Sequence, residues 1–187
     1  DFNNDGNLDF AAANFSSNTV SIRLGNGLGG FSGSVNAAVG TGPSSIVAAD
    51  FDLDGKLDFA VTNSAAGANT VFVRLGDGLG GFGNNISIAV GTAPQSLAVG
   101  DFNSDGKPDL AVANSGSNDI SVVQGDGLGG FSLATTVSAG GSPSGIAVGY
   151  FNNDANQDLA IAVPGSNVVA VRSGTGSFGF TSLPDVS

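Results

Sequence analysis

Cysteine, histidine, methionine and tryptophan are all missing from this 187-residue chain, and its sixteen acidic residues, every one an Asp, face only five Lys and Arg. Each absence removes a class of chemistry. Without Cys there is no disulfide, so whatever holds the fold in a harsh compartment is something else. Without His or Cys there is no His-assisted nucleophile, no imidazole-held zinc and no thiolate-held cluster. A net charge of -11 with five scattered cations repels phosphate backbones and disfavours nucleic-acid binding through a basic groove. No apolar run approaches the roughly 20 residues of a membrane-spanning helix, and no charged-then-apolar signal segment opens the chain, so membrane insertion is not expected. The first residue is Asp1 rather than Met, as expected of a processed or partial chain. What is abundant is Gly, at 31 residues, within a composition that is 41% hydrophobic and long enough for one domain with a sizeable core.

Self-similarity covers the whole sequence. DFNNDGNLDF at Asp1 returns as DFDLDGKLDF at Asp50, DFNSDGKPDL at Asp101 and, degraded, YFNNDANQDL at Tyr150. In step with it run GNGLGGF from Gly25, GDGLGGF from Gly76 and Gly125, and GTGSFGF from Gly174, together with Pro turns at Pro43, Pro94 and Pro143. The units are therefore 1–49, 50–100, 101–149 and a shorter 150–187, read as one repeat domain. Between these marks lie short runs of Val, Ile, Phe and Ala bounded by Gly, Asn, Ser and Pro, which read as strands and turns. In the second unit the strands are expected near Ser45 to Val47, extending to the Asp-rich loop, then over Leu57 to Thr62, Thr70 to Leu75 and Ile86 to Val90. Leu57, Phe59 and Val61 alternate with Asp58, Ala60 and Thr62, the period of strands. The fold class is all-β: four repeats of about 50 residues with four antiparallel strands each, the signature of propeller blades, in a partial or open propeller.

The strongest chemical motif is D-x-[DN]-x-[DN]-G-x-x-D. Oxygen side chains at positions 1, 3, 5 and 9 bracket a glycine at position 6 that allows a sharp turn, and position 7 adds a backbone carbonyl. The candidate ligand sets are Asp1, Asn3, Asp5, Asn7 and Asp9; Asp50, Asp52, Asp54, Lys56 and Asp58; and Asp101, Asn103, Asp105, Lys107 and Asp109, with Asn7, Lys56 and Lys107 acting through the backbone and their side chains turned outward. Asp/Asn/Gly turns between strands are the bland alternative. Turn chemistry, however, has no use for crowded carboxylates, which about 4 Å apart repel by roughly 1 to 4 kcal/mol per pair, a sign that a divalent ion reverses. Hard oxygen donors in this spacing point to Ca2+. An EF-hand fails because position 12 is Ala12, Val61 and Val112 instead of Glu. The fourth loop has lost position 1 to Tyr150 and the turn glycine to Ala155. It keeps Asn152, Asp154 and Asp158 and is expected to be weak or empty.

With the loops and the glycine blocks both in hand, the chain resembles FG-GAP/VCBS repeats, the extracellular calcium-binding blades of integrin-alpha-like propellers. The likeness is carried by DFDLDGKLDFAVTN from Asp50, DFNSDGKPDLAVANSGSN from Asp101 and the GDGLGGF blocks, and it spans all four repeats. It implies a calcium loop between the first two strands of a blade and a role in adhesion, glycan contact or as an accessory propeller of a secreted enzyme. Family propellers usually have about seven blades, against four repeats here. The first repeat lacks a strand before Asp1, and by the 49-residue register the last ends eleven residues short. Thr181 to Ser187, a strand from another copy or adjoining repeats of a longer chain are expected to cover the exposed edge.

Asn14 and Asn85 head the sequons Asn14-Phe15-Ser16 and Asn85-Ile86-Ser87 and are the glycosylation candidates. Phe31, Phe82, Phe131 and Phe180 close the glycine blocks at a fixed offset and read as blade-packing anchors. Arg23, Arg74 and Arg172 share one strand position and are expected to be solvated or paired with nearby carboxyls. The leading functional expectation is an extracellular or cell-surface calcium-stabilised propeller module, structural or adhesive, that self-assembles head to tail through strand complementation with other copies of itself. A carbohydrate-binding module contacting glycans or surface proteins is the alternative. An enzyme is not expected, because nearly every Asp is already assigned to a loop.

Overall fold

Val, Ile and Phe placed two apart favour extended backbone, and Gly, Asn and Pro between the runs reverse it. In a computed structural model, which describes residues 1–187 with the side chain of Ser34 excepted, these runs form fifteen strands in four antiparallel sheets. The first sheet is β1 (Phe10–Asn14), β2 (Thr19–Gly25) and β3 (Phe31–Ala38). The second is β4 (Pro43–Ala49), β5 (Asp58–Asn63), β6 (Thr70–Arg74) and β7 (Ile86–Ala89). β8 (Pro94–Gly100), β9 (Asp109–Asn114), β10 (Asp119–Gly125) and β11 (Phe131–Ser138) make the third. β12 (Gly145–Gly149), β13 (Asp158–Val163), β14 (Val168–Gly174) and β15 (Phe180–Ser182) make the fourth, with one 3-10 turn at Pro164–Ser166. The expected strands of the second repeat fall within two residues of those observed.

Each sheet is an up-and-down meander, and each is one propeller blade. The blades are offset from the sequence repeats, because the strand before each Asp-rich loop pairs with the strand after it: Ile46 stands opposite Val61 and Ala49 opposite Asp58. The eleven residues by which the last repeat falls short therefore correspond to the inner strand of a following blade, and the fourth blade has four strands of its own. Its C-terminal segment stays within that blade, with Val186 and Val169 exchanging backbone hydrogen bonds of 2.8 and 2.9 Å. The first blade has three strands, and among the described residues nothing pairs with the free edge of β1.

The core lies between blades. One cluster joins Phe2, Val20 and Ile22 to Phe59 and Val61; a second joins Phe51, Val71 and Val73 to Leu97, Leu110 and Val112; a third joins Ile120 and Val122 to Leu159 and Ile161. The alternation in β5 suggests one covered face, yet every residue of β5 and β9 is buried. Phe59 and Val61 face the first blade while Ala60 faces the third. Small residues on one face let the next blade approach.

Three of the four glycine-block phenylalanines act at these joints; Phe31, expected to do the same, is exposed and packs on Phe10 of its own blade. The loop Phe of each blade meets the block Phe of the next: Phe2 on Phe82 at 5.5 Å, Phe51 on Phe131 at 5.5 Å and Phe102 on Phe180 at 5.8 Å, all edge-on. The arginines reach across the same joints. Arg74 donates to the Ala38 carbonyl, and Arg172 Nε donates to the Ser138 carbonyl at 3.0 Å. Of the two expectations for these arginines, solvated or paired with a carboxyl, Arg172 meets the second, being buried with Nη1 3.6 Å from Asp185.

A phenylalanine at one loop position thus has two environments: Phe51, packed on Phe131, is 0% exposed and Phe151 is 50% exposed. Phe51→Ala should cost roughly 3 to 5 kcal/mol in urea unfolding, and Phe151→Ala under about 1 kcal/mol.

Candidate metal centres

The Asp-rich loops join the inner strand of a blade to the next strand, so three of them begin where β4, β8 and β12 end. Within each intact loop, position 1 organises the turn. Asp50 accepts the backbone N–H groups of Asp54 and Gly55 at 3.0 and 2.8 Å, and Asp1 and Asp101 do the same for Asp5 and Gly6 and for Asp105 and Gly106. The turn needs a left-handed residue at position 6, where Gly6, Gly55 and Gly106 have φ of 85°, 85° and 79°. Position 4 is left-handed too, even as Leu53 at φ 58°. Ala155 in the fourth loop stays out of that region and Tyr150 offers no carboxylate, so the fourth turn closes differently.

Asp50, Asp52 and Asp58 bring one carboxylate oxygen each to within 4.8 Å of one another, the one such cluster among the described residues. Asp52 Oδ1 is buried and without a hydrogen-bond partner. Burial, aggravated by Asp54 and Asp50, raises the Asp52 carboxyl above its ordinary range. These are the features of a cation cage: converging oxygens, one of them orphaned, whose charge is met from within the loop only by Lys56 at Asp54. The residues fit a hard divalent ion, which Asp50, Asp52, Asp54 and Asp58 would hold with the Lys56 carbonyl. In the first and third loops Asn3 and Asn103 supply amide oxygens at position 3, and each donates to the position-5 carboxylate at 3.0 Å.

Position 7 differs in part from expectation. The side chains of Lys56 and Lys107 are exposed but turn back, Lys56 Nζ donating to Asp54 Oδ2 at 2.7 Å and Lys107 Nζ lying 3.7 Å from Asp105 Oδ2. That bond holds the Asp54 carboxyl below its usual value, while hydrogen bonds from Asn103 and Asn7 do so chiefly for Asp105 and Asp5. The ammonium is a local counter-charge that a cation would displace.

Sequence reasoning cast position 9 as a ligand and missed its second task. In all four loops this Asp ties two distant backbone N–H groups together: Asp9 accepts from Phe2 and Gly25, Asp58 from Phe51 and Gly76, Asp109 from Phe102 and Gly125, and Asp158 from Phe151 and Gly174, at 2.7 to 2.9 Å. The signal was present in the fourth loop, which keeps Asp158 after losing Asp and Gly elsewhere. Asn152 there turns to Asp154 and Ser173, at 2.7 and 2.6 Å. The loops also lean on the following blade: the Gly80 N–H donates to the Phe2 carbonyl at 3.1 Å, and a Cβ added at Gly127 would sit 3.2 Å from Leu53 Cδ1.

The two sequons differ. Asn14 Nδ2 donates to Thr19 and Ser21 hydroxyls at 3.1 and 2.8 Å, the hairpin role that Asn114 repeats in the third blade, whereas Asn85 is exposed. Its own hydrogen bonds therefore occupy Asn14.

Position 9 can be separated from the cage by substitution. Asp158→Ala leaves two N–H groups without acceptors and should destabilise the protein by about 1 to 3 kcal/mol, equally in calcium and in EDTA. Asp52→Ala should leave the EDTA-treated protein no less stable. Burial pushes Asp58 and Asp109 up to about 6. An acid with a raised folded pKa keeps its proton longer in the folded state, so the metal-free protein should lose stability as pH rises from about 4 to about 6 and show no such loss below both values. Urea midpoints across that range check the sign.

FG-GAP-like repeats match residues 1–61, 50–112 and 101–161. No curated protein matches the chain. Among solved structures, that of BBS1N in complex with ARL6DN is similar at 13% identity over 100% of this chain and 54% of that one, with a TM-score of 0.66. A functionally unknown protein from Desulfotomaculum acetoxidans is similar at 14% identity over 94% of this chain and 54% of that one, TM-score 0.64. A protein from Lactobacillus plantarum is similar at 18% identity over 95% and 53%, TM-score 0.63. The chain spans about half the length of each, and at such identities the likeness is one of fold. On the repeat match, which covers most of its length, the chain belongs to the FG-GAP-like repeat family.

Proposed function

We propose that this chain is a calcium-stabilised propeller module of an extracellular or cell-surface protein, with a structural or adhesive role and no catalysis of its own. The observation that carries the reading is the buried, unpartnered Asp52 Oδ1 within the Asp50, Asp52 and Asp58 cluster, in a loop whose plan recurs at Asp1 and Asp101. Millimolar calcium outside cells suits such loops, since extracellular calcium modules bind with dissociation constants of about 0.1 to 1 mM. It also supplies the cross-link that a chain without Cys lacks. The adhesive part is supported by Leu28, Leu79 and Leu128, which stand 91%, 79% and 81% exposed at the same hairpin position of three blades.

The order of affinity follows the charge. The Asp50 loop, with four carboxylates, should bind tightest, the Asp1 and Asp101 loops with three each less tightly, and the Tyr150 loop least. At ten times a dissociation constant each site contributes about 1.4 kcal/mol. Calorimetric titration of metal-free protein should show three sites, and EDTA should lower the melting temperature. A melting curve unchanged by chelation would refute the proposal. Lys56→Gln removes the competing ammonium and should tighten the second site by roughly two- to five-fold.

A further inference from the structure

The hairpin between β2 and β3 differs from its copies by one amide. Where the second and third blades have Asp77 and Asp126, the first has Asn26, and Asn26-Gly27 is the one Asn-Gly pair in the chain. The turn is nevertheless the same. Asn26 Oδ1 accepts the N–H groups of Leu28 and Gly30, both at 2.9 Å, as Asp77 Oδ1 accepts from Leu79 and Gly81 and Asp126 Oδ1 from Leu128 and Gly130 at 2.7 to 2.9 Å. We propose that Asn26 is a self-modification site, at which the Gly27 backbone nitrogen displaces the side-chain amide and converts Asn26 to a mixture of aspartate and isoaspartate.

The hairpin presents each group the reaction needs. Asn26, Gly27 and Leu28 are exposed, so water has access to the side chain and the peptide bond. The nucleophile is unhindered, since Gly27 has no side chain and holds φ at 70°, and its N–H donates to no acceptor among the described residues. The electrophile is activated. Negative charge collects on Oδ1 as Cγ is attacked, and the N–H groups of Leu28 and Gly30 already point at that atom as a pair of fixed donors, the arrangement of an oxyanion hole. The leaving group is free as well. Nδ2 of Asn26 donates to nothing among the described residues, whereas Nδ2 of Asn14 and Asn114 is held by hydroxyls and that of Asn3 and Asn103 by carboxylates.

In the step itself the bond from Gly27 N to Cγ forms, the bond from Cγ to Nδ2 breaks, and the Gly27 amide proton departs with Nδ2 as ammonia, leaving a cyclic imide. Water then opens the ring. Cleavage of the new bond gives aspartate, and cleavage of the original peptide bond gives isoaspartate, with the chain running through Cγ. The aspartate product fits the turn, since Asp77 and Asp126 make the same one. Its neighbour differs. A Cβ added at Gly78 or Gly127 would meet the side chain of Lys56 or Lys107, and one added at Gly27 would meet Asn7 Oδ1. Conversion therefore places beside the first Asp-rich loop a carboxylate faced by an amide in place of a lysine.

The inference goes beyond the calcium reading and does not depend on it, so the test uses metal-free protein. The chain is incubated at mildly alkaline pH, folded in buffer and unfolded in guanidinium, and digests are followed by mass spectrometry for loss of the amide and by separation of the aspartate and isoaspartate peptides. Asn26 should convert before any other Asn, and at least as fast in the folded protein as in the unfolded chain. In Asn26→Gln, where closure needs a larger ring, the signal at this position should vanish. Slower conversion in the folded protein than in the unfolded chain, no conversion in either, earlier conversion at another Asn, or a signal that survives in Asn26→Gln would overturn the proposal. None of these results bears on whether chelation lowers the melting temperature, so the two readings fail separately.

Discussion

One carboxylate per blade, buried in three of the four, organises the rest of the molecule. Asp9, Asp58, Asp109 and Asp158 each join the start of an Asp-rich loop to a glycine sixteen or eighteen residues further on, where the strand paired with the one after the loop ends. The second residue of the loop, whose N–H is held in this way, is the phenylalanine that packs on the next blade. Loop closure and blade packing therefore share one anchor. Holding a carboxylate in that place has a cost, visible in Asp58 and Asp109, whose burial raises them to about 6 despite two N–H donors each.

On the proposed reading the cation offsets that cost and the repulsion around it. Asp52 has no partner of its own for Oδ1, and Lys56 reaches only Asp54. A divalent ion between Asp50, Asp52 and Asp58 would neutralise what the loop leaves open. The same loop rests on the following blade through Phe51 on Phe131 and through Leu53 beside Gly127. Ion binding in one blade would then stiffen the joint to the next, a task that disulfides perform in many small secreted domains.

Much of this was legible in the sequence because the signals repeat. Strand positions in the second repeat, the loop plan and the packing role of Phe82, Phe131 and Phe180 followed from fixed offsets. The strand expected near Ser45 to Val47, ahead of the loop, is β4, which pairs across the loop with β5, Ala49 opposite Asp58. What did not follow was how deeply the strands are buried and which side chains do more than one task. Burial of both faces of β5 was hidden because Ala60 and Thr62 read as the exposed side of an alternation, when small side chains there make room for a neighbouring blade. The double task of Asp58 was hidden because a ligand and a hydrogen-bond acceptor leave the same residue in a sequence. That the Asn14 amide also serves the β1–β2 hairpin was not legible from its sequon. Arg172 was read as solvated or paired with a carboxyl; it lies beside Asp185, and only the path of β11 shows that its guanidinium also meets the Ser138 carbonyl.

The claim that loop and joint act together is open to amide hydrogen exchange, measured on the same protein in calcium and in EDTA. The account predicts that calcium slows exchange at Phe51, Gly55 and Gly76 and also at Gly127 to Phe131 in the following blade, where the loop of the second blade rests. Slowing confined to residues 50–58, with the 127–131 hairpin exchanging at the same rate in both conditions, would contradict it.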